Sequence, residues 1–89
     1  MKKRKYAIVR IYEYDNEKYV EFFSGIGMNR LTGELWPLFE NSIKDPAVFT
    51  FYTKKEAKEY LADIQEEIKE AYGQSQIKII KLKKEDRRA

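Results

Sequence analysis

Residues 53–73 read TKKEAKEYLADIQEEIKEAYG, and this stretch limits the architecture more than any other. Thr53 and Glu56 form a capping box. The hydroxyl accepts from the backbone N–H of residue 56, and the carboxylate returns to that of residue 53. Behind it Ala57, Tyr60, Leu61, Ile64, Ile68 and Ala71 fall on one apolar stripe of a helix predicted over about 54–72. Gly73 supplies the stop. A chain of 89 residues is one domain with one modest core. Its single long helix can cover one face of a sheet, so the rest of the chain must supply that sheet.

The alternation upstream does so. YAIVRIYEY, residues 6–14, reads as a strand. Asp15 and Asn16 are turn formers, and KYVEFF, 18–23, reads as the returning strand of a hairpin. The next stretch, SGIGMNRLTGELWPLF, holds three of the four glycines. It does not fit G-x-G-x-x-G, because position 30 is Arg, and no G-K-[ST] occurs. NRLTG is turn chemistry instead: Asn29 opens a type I turn and Gly33 takes the left-handed position of a bulged hairpin. The flanking strands are predicted at about 22–28 and 34–39. Gly25 and Gly27 permit a bulge or the close approach of a large neighbour such as Trp36. Pro37 places its strand at an edge.

ENSIKDPA, 40–47, reads as a loop or one helical turn. VFTFY, 48–52, reads as a short strand, and IKIIKLK, 77–83, as the last one. The expected fold is α+β, a two-layer sandwich. Its mainly antiparallel sheet has about five strands, in the order β-β-β-β-α-β, with one long amphipathic helix on one face. Residues 1–89 form one domain, with basic ends at 1–4 and 84–89 expected to fray.

The chemical inventory excludes most enzymes. There is no Cys and no His, so no thiolate and no histidine base or ligand. The carboxylate pairs Glu59/Asp63 and Glu66/Glu70 sit among lysines on the polar side of the helix, where local ion pairing explains them. DNEK at 15–18 lacks the ligand spacing of a calcium loop. No catalytic residue, metal or cofactor is expected. No apolar run approaches a membrane span, so a soluble cytoplasmic protein is expected. The net charge of +3 divides into +7 on the two ends and −4 on the body between them. That is not the pattern of a basic binding face.

One helix leaves one sheet face over. Ala7, Val9, Ile11, Val20 and Phe22 suit the covered face. The other would carry Tyr6, Ile8, Arg10, Tyr12, Tyr14, Tyr19, Glu21 and Phe23. Either the hairpin 22–39 curls over and buries these rings, with Trp36, Leu38 and Phe39 as a second small core, or they form an interface beside an arginine. On the second reading Tyr6, Arg10, Tyr12, Tyr14, Tyr19 and Phe23 of the face, and Trp36 of the hairpin, are the candidate partner-binding residues. A second candidate is the acidic helix face of Glu59, Asp63, Glu66, Glu67 and Glu70, which could mimic nucleic acid toward a basic groove. The small size and the Lys/Ile/Tyr/Glu-rich composition resemble accessory proteins of phages and mobile elements, a likeness that carries no motif. The expected function is a non-enzymatic protein-binding module, a stoichiometric binder or inhibitor of a larger host protein. Nucleic-acid binding through the basic ends and sheet-face tyrosines is the alternative. A self-associating subunit, such as a homodimer, is the third reading.

Overall fold

The computed structural model describes residues 2–73 and 75–88. Strand β1 (Tyr6–Tyr14) turns directly into β2 (Glu17–Met28), and β3 (Leu35–Glu40) follows. Helix α1 (Lys54–Tyr72), strand β4 (Gln76–Lys81) and a 3-10 turn at Lys84–Asp86 complete the described chain. The four strands form one antiparallel sheet in the order β3-β2-β1-β4. The fold is therefore α+β.

Both hairpins arise from their turn residues. Asp15 and Asn16 adopt φ of 53° and 65°, the pair of left-handed positions that a two-residue hairpin turn requires. In the second hairpin the Asn29 side chain accepts from the N–H groups of Leu31 and Thr32, and Gly33, at φ 75°, closes the turn onto the Asn29 carbonyl. The capping box is half realised: Thr53 Oγ1 accepts from Glu56 N at 3.1 Å. Gly73 ends the helix at φ 65°, donating to the Lys69 carbonyl.

The stretches read as strand at 18–23 and 22–28 run together into one strand, β2, which pairs with β1 along its first half and β3 along its second. Two expectations about the sheet are corrected. The strand expected at 48–52 is absent. Only Phe51 bridges to Tyr6, and Phe49 N–H donates to the Phe23 carbonyl. The cause lies at Gly25, where φ is 120° and the β2–β3 register shifts. β2 bends away from β1 there, and residues 49–51 lie in the opening. With no strand at 48–52 there is no β-α-β crossover; α1 links the two edge strands. An added Cβ at Gly25 would lie 3.3 Å from the Phe49 ring in a backbone conformation that side chains rarely adopt. Gly25→Ala is expected to cost about 1–2 kcal/mol. Gly27→Ala, whose Cβ would meet Leu38 at an ordinary 3.5 Å, is expected to stay within about 0.5 kcal/mol of the parent. Urea denaturation of the two variants checks the contrast.

The second correction inverts the sheet. α1 packs on the face of Tyr6, Ile8 and Phe23, joined by Phe39, Ile77 and Ile79, and not on that of Ala7 and Val9. Ile8 and Phe23 are fully buried there against Ala57, Ile64 and Ile68. On the opposite face Ala7 and Val9 are also buried, outside that cluster. Residues 42–44 and the 84–86 turn line a cleft with Phe22, Ile80 and Leu82, and so cover part of this second face. Both faces are apolar in sequence, so alternation defines the two sets without saying which one meets the helix. The larger set spans the distance to a helix; the smaller suits a thin cover of loop.

The C-terminal basic end, expected to fray, is tied down as far as it is described. The Arg88 guanidinium donates to the carbonyls of Ile43, Asp45 and Val48 at 2.7, 2.8 and 2.9 Å, and Arg88 bridges to Arg4 through the backbone.

Candidate protein-binding surface

The seven candidate contact residues are divided among four places. Phe23 is fully buried, edge-on to the rings of Phe39 and Phe49 and tilted against Tyr60. Tyr6 packs against the same core. Both are structural, because the helix covers the face they occupy. Tyr14, at the end of the first hairpin, is 71% exposed and apart from the rest.

Arg10, Tyr12 and Tyr19 form a cluster beyond the last turn of α1. The Arg10 guanidinium lies between two rings, 4.0 Å from the Tyr12 centroid and 4.4 Å from that of Tyr72. Its Nη1 meets Glu21 Oε1 at 2.6 Å, and its Nε donates to Ser75 Oγ at 2.8 Å. Tyr12 stacks on its cross-strand partner Tyr19, with centroids 5.3 Å apart. With its charge paired and both flat sides occupied, Arg10 holds β1, β2 and the α1–β4 connection together. It is not a free contact residue.

Trp36 is on the edge strand β3, 45% exposed, with its ring edge toward Tyr72. The Tyr72 hydroxyl donates to the Pro37 carbonyl at 2.6 Å. Burial raises the pKa of Tyr72, against lowering contributions from Trp36 and Arg10; burial alone raises that of Tyr60. Tyr19 is also raised, first through its hydroxyl bond to Glu17. A phenol raised in the folded state adds stability below its unfolded pKa of about 10, lost as pH climbs through the folded value. Stability is therefore expected to fall above about pH 10. Tyr60→Phe, which cannot ionise, is expected to reduce that fall in alkaline denaturation followed by circular dichroism.

The acidic helix face is real and divided. Glu59, Asp63, Glu66 and Glu70 are exposed. Glu67 is half-buried, with Oε2 shielded and without a partner among the described residues. Glu67 and Glu70 line a cleft with Leu35 and Trp36, so this side of α1 looks toward β3.

Of the larger exposed feature, the hairpin that carries Trp36, the sequence reading named only Trp36 as a contact residue. Val20, Ile26, Met28, Leu31, Leu35 and Leu38 are all exposed large apolar side chains of β2, β3 and the turn between them. Leu31, at the turn, is 96% exposed. A cleft of about 360 Å³ lies beside them, lined by Gly27, Met28, Asn29, Glu34, Trp36 and Leu38. The signal was present: a leucine inside NRLTG does no folding work at a turn that Asn29 and Gly33 already specify.

Among the described residues no group of acidic side chains could hold a metal ion, and no helix is long and apolar enough to cross a membrane. In comparisons with protein-family models, curated proteins and solved structures, the chain finds no match.

Proposed function

We propose that the chain is a non-enzymatic protein-binding module, a stoichiometric binder or inhibitor of a larger protein, and that the β2–β3 arm is its contact surface. The observation that carries this is the number of exposed apolar side chains on one arm, with Ile26, Met28 and Leu35 on one face, Trp36 and Leu38 on the other, and Leu31 almost wholly in solvent at the tip. Exposed apolar side chains in such number mark contact surfaces, and Trp36 is of a residue type from which binding energy is drawn. The compositional likeness to phage and mobile-element accessory proteins points the same way. Leu31→Asp and Leu38→Asp test the reading, because neither residue is in the core. A purified partner is expected to form a 1:1 complex with the parent, by light scattering, and to bind the double variant at least tenfold more weakly. Equal binding of both rejects the arm as the surface.

A second reading has its own observation. The two basic ends meet at the Arg4–Arg88 bridge, beside an open cleft of about 620 Å³ lined by Lys2, Lys3, Lys5, Tyr52, Thr53 and Arg87. Such a pole suits phosphates and would give salt-dependent affinity. Titration with single-stranded and duplex nucleic acid at low and physiological salt separates the readings. Binding that disappears with salt and with removal of residues 1–4 favours nucleic acid.

A further inference from the structure

The two edges of the sheet are not alike. At β3 the register places Pro37 opposite Ile26, and the Asn29–Glu34 backbone bond at 2.8 Å sets the phase of the ladder, so Pro37 turns its backbone outward. It has no N–H, and its carbonyl is taken by the Tyr72 hydroxyl. This edge is closed to another strand at its middle.

β4 has no such closure. Leu82 N–H bonds to the Lys5 carbonyl, which continues the ladder with β1 and sets its phase. Gln76, Lys78 and Ile80 turn their backbone groups to β1; Ile77, Ile79 and Lys81 turn theirs outward, with no backbone partner among the described residues. Beside this edge a cleft of about 280 Å³ separates α1 from β4, lined by Gln65, Ile68, Lys69, Ser75 and Ile77 among others. Charge marks it further. At 100° per residue, Lys54, Lys58, Gln65 and Lys69 share the side of α1 that looks to β4, while the acidic residues share the side that looks to β3. Lys78 and Lys81 add two cations from the strand itself.

We propose that the β4 edge binds an extended acidic peptide of a partner protein as a fifth strand, with side chains entering the α1–β4 cleft. Backbone hydrogen bonds to Ile77, Ile79 and Lys81 supply affinity, and the lysine rim selects acidic residues. The same lysines disfavour a second copy, whose edge would bring like charge against them. The site is separate from the β2–β3 arm.

The probe is a capped octapeptide of alternating glutamate and valine, with a lysine–valine octapeptide and a glutamate–valine octapeptide N-methylated at alternate residues as controls. Backbone amide shifts of the intact protein are expected to move at residues 76–82 with the acidic peptide only. Lys81→Pro removes an outward donor without touching the core and is expected to weaken binding at least tenfold. Lys69→Glu with Lys78→Glu is expected to do the same. Leu38→Asp is expected to leave peptide binding unchanged, which separates this site from the arm. No shift at 76–82, equal binding of the N-methylated peptide, or unchanged affinity in Lys81→Pro overturns the proposal.

Discussion

Phe23→Ala is expected to lose about 3–5 kcal/mol and to melt roughly 15–30 °C below the parent. The side chain is fully buried, and three rings, those of Phe39, Phe49 and Tyr60, lie against it. Those rings belong to β3, to the segment in the β1–β2 opening and to α1, so no single element can move inward to fill the space. A domain of this size has about 5–10 kcal/mol of stability, and the change removes much of it. Phe23→Leu keeps most of the apolar volume and is expected to lose less than half as much. Thermal melts by circular dichroism, with the parent alongside, give both values. A Phe23→Ala variant within about 1 kcal/mol of the parent would contradict this description of the core.

Arg88→Ala is the other large effect, expected at about 2–3 kcal/mol. One guanidinium holds the Ile43, Asp45 and Val48 carbonyls, so its loss releases residues 43–48 from the C-terminal end. The backbone of Arg88 can still bridge to Arg4, so the sheet persists. The expected signature is therefore mixed: a moderate fall in the urea midpoint, and a much greater increase in proteolytic cleavage and amide exchange at 41–48. Arg88→Lys keeps the charge, but one ammonium cannot span carbonyls reached from two separate nitrogens, and it is expected to recover about half the loss. Unchanged protection at 41–48 in Arg88→Ala would show that the loop is held by other means.

The comparison of sequence with structure divides by the range of the interactions. The helix, its Thr53 cap, its Gly73 stop and both turns were legible because each depends on residues within about four positions. The set of side chains sharing each strand face was legible too. Which face met the helix was not, since Ile8 and Val9 are equally apolar and only tertiary packing distinguishes them. The strand expected at 48–52 had the right composition. It formed no strand because Gly25 bends β2 and leaves an opening only three residues long, a consequence of long-range geometry. Arg10 looked like a contact residue because its partners, Glu21, Ser75 and Tyr72, lie 11 to 65 positions away. Trp36 was named with its hairpin and is 45% exposed; the exposed leucines of that hairpin were not named as contacts because a turn explained the segment well enough.

The position of β1 also governs the order in which the fold can be completed. β1 is an interior strand, yet one of its neighbours is the last strand of the sheet: Tyr6 pairs with Lys81 and Ile8 with Ile79. During synthesis the β1–β2 hairpin and then β3 can form early from local turns. The other side of β1 stays unpaired until residues 76–81 leave the ribosome. Until then a row of backbone donors and acceptors beside Ile8 and Val9 is open to any passing strand. The chain therefore passes through an association-prone stage between the emergence of β1 and that of β4. Its release from that stage depends on six residues of β4 arriving at a strand from which β2, β3 and α1 separate it in the chain.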